Sequence, residues 1–66
     1  MSESLETLAN EISSIERRVS DALYDALRAQ VRDEDAQNAK ELEKRLAKVR
    51  RSLMKAESLL RGASDD

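Results

Sequence analysis

"QVRDEDAQNAKE", residues 30–41, joins two helical-looking halves near the middle of a 66-residue chain. It contains neither Gly nor Pro. It either turns the chain back on itself or forms the centre of one long rod. Three features favour reversal. No large apolar residue occurs from Arg32 to Glu41. Arg28 and Arg32 suit the last turn of one helix, and Asp33, Glu34 and Asp35 suit the start of another, with Asp33 or Asp35 as N-cap. Three consecutive acids inside a helix would repel, and Asp is a poor helix former.

The third feature is a change of frame across this stretch. Upstream, apolar residues recur in alternating steps of three and four: Leu5, Leu8, Ile12, Ile15, Val19, Ala22, Ala26, Ala29. Downstream, the series is Ala39, Leu42, Leu46, Val49, Leu53, Ala56, Leu60. Each reads as a seam of a and d positions in a heptad frame. Counting by sevens from Leu5 reaches residue 40, whereas the downstream frame starts at 39. A continuous coiled coil would have to absorb that one-residue slip.

The expectation is an all-α fold, a coiled-coil-like antiparallel hairpin of two helices in a single domain, 1–66. Helix 1 runs over about 4–32, a turn over about 33–35, helix 2 over about 36–61, and a frayed tail over 62–66. The arms, about 43 Å and 39 Å long at 1.5 Å per residue, can pack along their whole length. Ser2 or Ser4 can cap the first helix, with Glu3 and Glu6 in its first turn. Gly62 suits the C-terminal cap of the second. The expected seam sets Leu5, Leu8, Ile12, Ile15 and Val19 against Leu42, Leu46, Val49, Leu53 and Leu60.

Chains this short bury only about 60% of their unfolded surface. The hairpin is therefore expected to find more helix. A second copy would give a homodimeric four-helix bundle, and a helical protein partner would complete the same core. Residues 1–35 hold nine acids and four bases, net −5. Residues 36–61 hold eight bases and three acids, net +5. That opposition suits antiparallel pairing within one chain or head-to-tail pairing between chains.

Two surfaces stand out. Leu23, Tyr24, Leu27 and Val31 lie beside the alanine end of the first seam. They either rotate into the intramolecular core or form a second, partner-binding face. On the second helix Lys44, Lys48, Arg51 and Lys55, spaced four, three, four, form a basic stripe. It is read as a solvated face first and a phosphate-tracking surface second. The net charge of −2 weakens long-range steering of a polyanion. One aromatic residue, Tyr24, cannot make a stacking platform for single strands.

Chemistry has little to work with. The chain has no Cys, no His and no glycine-rich loop, so no enzyme, cofactor or metal site is expected. Asp33, Glu34 and Asp35 lack the alternating spacing and glycine of a calcium loop. The opening "MSESLETLAN" shows no basic n-region or apolar run, and no segment is apolar enough to span a bilayer. A cytoplasmic location and no membrane partner are the corresponding expectations.

The organisation, with two equal helices and a polar junction such as "RDEDAQ" (32–37), is similar to two kinds of small hairpin protein. The Rop type implies a dimeric four-helix bundle that binds RNA. The type III secretion co-chaperone type implies a hairpin that holds a needle subunit before export. The likeness assigns no site residue here. The function expected is protein–protein contact, as an adaptor, chaperone-like partner or small inhibitor, with nucleic-acid regulation as the alternative. Ile12→Asp should collapse helicity and assembly together. Circular dichroism and sedimentation check this, and an unchanged spectrum and mass would count against the seam.

Overall fold

The computed structural model describes residues 4–31 and 36–62. Helix α1 spans Leu5–Val31 and helix α2 spans Ala36–Leu60. They pack against each other lengthwise. A 66-residue rod would be about 100 Å long at 1.5 Å per residue, but the molecule measures 48 × 27 × 13 Å. The chain is a hairpin, as the frame slip and the missing large apolar residues imply. The caps expected from Asp33 or Asp35, and the roles of Ser2, Glu3, Arg32 and the tail beyond Gly62, fall outside the described residues.

The described ends are closed by the expected chemistry. Ser4 Oγ accepts the Thr7 backbone N–H at 3.0 Å, and the Ser4 carbonyl accepts the Leu8 N–H at 3.2 Å. A side-chain oxygen thus satisfies one of the first-turn donors that have no intrahelical acceptor. Glu6 lies in the first turn of α1 and Arg28 in its last, each opposing the local end of the macrodipole. At the far end Gly62 has φ +86° and donates its N–H to the Leu59 carbonyl at 3.1 Å. That left-handed conformation ends the helix and suits a residue without Cβ.

Two cross-links fix the register. Gln30 Nε2 donates to Glu43 Oε1 at 2.8 Å, and the Glu16 carboxyl lies within hydrogen-bond reach of the Glu57 carboxyl. Fourteen residues forward on α1 match fourteen back on α2, so the pairing runs antiparallel without a slip. At the open end Arg61 Nη2 donates to Asn10 Oδ1 at 3.1 Å.

Four of the ten residues expected in the seam, Leu5, Ile15, Leu42 and Val49, are exposed instead. The residues turned toward the other helix on α1 are Ala9, Ile12, Glu16, Val19, Leu23, Ala26 and Gln30. On α2 they are Ala36, Ala39, Glu43, Leu46, Leu53, Glu57 and Leu60. The a positions (12, 19, 26; 39, 46, 53, 60) hold. At d, Ile15, Ala22, Leu42 and Val49 are exposed while Leu8, Ala29 and Ala56 stay half-buried, and the e residues 9, 16, 23, 30, 43 and 57 join the contact. Ile15, Leu42 and Val49, expected in the seam, are 43%, 46% and 40% exposed. The buried apolar residues among those described are the alanines Ala9, Ala26 and Ala39, and no large side chain is fully buried.

The reason is rotational. At 100° per residue, the middle of the a and d positions lies about 50° round the helix from the middle of a and e. Small residues at Ala9, Ala26 and Ala39 let the backbones approach on the a/e side, where Gln30 bonds Glu43 and the Glu16 and Glu57 carboxyls meet. The apolar stripe is left aimed obliquely past the neighbouring helix.

A Cβ added at Gly62 would meet nothing within 4 Å. The cost of Gly62→Ala is therefore the left-handed backbone alone, about 1–2 kcal/mol. Urea unfolding should show that loss, and a change below about 0.3 kcal/mol would mean the cap is not used.

Candidate functional site: an open apolar face

The two helices form a slab with two broad faces of unequal character. Because α2 runs against α1, its residues wind in the opposite sense when both are viewed from one end. The d flanks of both helices therefore emerge on the same side of the slab. That side carries Leu8, Ile15, Ala22 and Ala29 from α1, with Leu42, Val49 and Ala56 from α2. Every one of these is apolar. The opposite side carries Glu6, Ser13, Ser20 and Leu27, with Lys40, Ala47, Met54 and Arg61, and is mostly polar.

The apolar side is half open. Ile15, Leu42 and Val49 count among the exposed large hydrophobics. A folded chain of 7.5 kDa is expected to expose about 4,200 Å². This one exposes 5302 Å². The excess of about 1,000 Å² is of the size that one partner contributes to a stable protein interface.

Of the four residues first considered for partner binding, the structure brings three to the surface and removes one. Leu23 lies in the seam at the level of Arg50, half-buried between the helices. Tyr24 and Val31 are 62% and 86% exposed on the outward side of α1, and Leu27 is exposed beside them. The guanidinium of Arg28 sits 5.1 Å from the Tyr24 ring centroid, in cation–π range, and 4.0 Å from Asp25. This patch is on the other side of α1 from the open apolar face, so the two cannot act as one surface.

Lys44, Lys48, Arg51 and Lys55 are all exposed, on the side of α2 turned away from α1. They form the stripe that their spacing implies. Glu41 heads it, three residues before Lys44, and is exposed as well.

One polar cluster crosses the seam. Arg61 Nε donates to Glu57 Oε2 at 2.8 Å. The hydrogen bond from Glu16 and then the one from Arg61 hold the Glu57 carboxyl below the usual range. Glu16 moves the other way: its hydrogen bond to Glu57, then its desolvation, then the Glu57 charge, raise its affinity for a proton. Glu16 Oε2 is shielded from solvent and makes no hydrogen bond, so ionising this carboxyl leaves charge on an unsatisfied oxygen. The pair therefore holds a proton more readily on Glu16 than on Glu57, whose carboxylate Arg61 meets.

The open end also holds a shallow pocket lined by Glu6, Leu60 and Arg61. Among the described residues no group of His, Cys, Asp or Glu is arranged to hold a metal ion, and no helix is long and apolar enough to cross a membrane.

Sequence reasoning had these apolar d residues but assigned them to the wrong contact. The available signal was width. Two apolar positions per heptad on both helices make a stripe wider than one neighbour can cover. Comparison of the chain with protein-family models, with curated proteins and with solved structures gave no match.

The Glu16–Glu57 pair makes a pH prediction. In the folded state Glu16 holds its proton above the ordinary value of 4.5, so the fold binds more protons than the unfolded chain and loses stability as pH rises past that value. Glu57, shifted down, contributes stability that is lost as pH falls below it. Glu16→Gln keeps a donor for Glu57 and removes the charge. The melting temperature of Glu16→Gln should exceed that of the parent at neutral pH. The gap should close as pH is lowered toward 4.5. Parallel melting curves at all pH values would show that the pair does not titrate in this way.

Proposed function

We propose that this chain is a non-enzymatic protein–protein interaction module, an adaptor, chaperone-like partner or small inhibitor, that works through the apolar face of its hairpin. The observation that supports this is the continuous set of apolar side chains on one side of the slab, with Ile15, Leu42 and Val49 left 40–46% exposed. Apolar patches of this extent on small chains mark contact surfaces. The geometry also suits a specific kind of partner. In a square four-helix bundle the centre lies about 45° from the direction of each neighbour, close to the offset of about 50° at which the apolar stripes point. The face thus fits two further helices laid along it.

A second reading has one observation in its favour, the exposed stripe of Lys44, Lys48, Arg51 and Lys55. It would make the chain a nucleic-acid-associated regulator. Salt separates the readings. Four phosphate contacts give a slope of about −3.6 in log K against log salt, whereas an apolar contact changes little.

On the favoured reading Val49→Lys places a charge in a covered core. It should cost more than about 2 kcal/mol or drive the chain to a smaller species, while Lys48→Glu on the outward side changes stability by less than about 0.5 kcal/mol. Urea unfolding and sedimentation on the purified chain measure both. A stable helical monomer that tolerates Val49→Lys as easily as Lys48→Glu would defeat the proposal.

A further inference from the structure

Resting on that reading, we infer that the occupant of the apolar face is a second copy of this chain, related by a two-fold axis parallel to the helices. Each α1 then packs against the partner's α2, antiparallel, just as it packs against its own.

Three observations carry this. The first is area. A standard interface takes about 800 Å² from each partner, and the chain exposes about 1,000 Å² more than a compact chain of its mass. The second is size matching. A two-fold axis along the helices keeps every residue at its own height, so the register within the hairpin also sets the register between copies. In that register Ala29 lies about 3 Å in height from the partner's Leu42, Ala22 from the partner's Val49, and Ile15 from the partner's Ala56. Each layer sets a small side chain against a large one, the arrangement that lets facing helices interdigitate.

The third observation is charge, and it selects the axis. Helix α1 holds five acids and three bases, net −2, and α2 holds seven bases and three acids, net +4. An axis perpendicular to the helices would lay α2 against the partner's α2, two helices of net +4 side by side. The parallel axis gives every helix neighbours of opposite sign only. Like-charge juxtaposition disfavours the first arrangement, and attraction favours the second.

The chain has no cysteine, so single-cysteine variants report contacts without background. Ala22→Cys and Val49→Cys are prepared separately, mixed and oxidised, and the unmodified chain is sedimented over a wide concentration range. The expected results are a species of about twice 7.5 kDa and a disulfide that forms in the mixture but in neither variant alone. A dimer whose disulfides form within each variant alone, or not at all in the mixture, overturns the parallel axis. A chain that stays at 7.5 kDa overturns the second copy. If that monomer is poorly helical, a different protein covers the face and the interaction reading stands. If it is fully helical and indifferent to Val49→Lys, both fail.

Discussion

Two helices side by side offer each other a single line of contact, and that line cannot cover a stripe two apolar positions wide. This mismatch organises the rest of the molecule. The hairpin resolves it by rotating both helices so that alanines and polar side chains share the contact with Ile12, Val19, Leu23, Leu46, Leu53 and Leu60, while Ile15, Leu42 and Val49 point obliquely to one side. Ala9, Ala26 and Ala39 are buried because they sit where the backbones come closest. Ile15, Leu42 and Val49 are exposed because the same rotation carries them out of the contact. The slab has one apolar face because antiparallel helices with the same rotational offset bring their apolar flanks to the same side. The broad polar face follows from the same rotation.

The polar members of the seam gain their meaning from that geometry. Glu16, Gln30, Glu43 and Glu57 would be misplaced in an apolar core. At the line between two helices they bond in register pairs, Gln30 to Glu43 and Glu16 to Glu57. Such pairs contribute little net stability at partly solvated positions, but they penalise sliding. A shift of one residue would separate both pairs at once, so the polar contacts specify alignment while the apolar ones drive association. Placing two carboxyls together raises the proton affinity of Glu16 and lowers that of Glu57, which Arg61 also bonds.

Much of the fold was legible in the sequence. The three-and-four spacing gave two helices, and the frame slip with the polar stretch after Val31 gave the reversal. Ser4 and Gly62 gave the described ends, since a hydroxyl cap and a residue free to adopt positive φ are local requirements. The basic stripe of Lys44, Lys48, Arg51 and Lys55 was equally legible, because spacing along a rigid helix fixes which side chains share a side. The contact seam was not legible in the same way. Leu23, which the sequence left between core and partner face, lies in the seam, while Ile15 and Val49, expected in the seam, lie on the open face.

The sequence by itself determined the number of helices, their approximate extent, the order of charges along each arm and the existence of an apolar stripe. All of these depend on periodicity and on neighbours a few residues apart. Only the tertiary structure decided the rotation of each helix about its own axis. That angle depends on how closely two backbones can approach, which is settled jointly by small residues such as Ala26 and Ala39 on different helices. A change of about 50° in that angle converts the same apolar side chains from a filled seam into an open face. The surface this protein presents is therefore set by a relation between its two halves that neither half states alone.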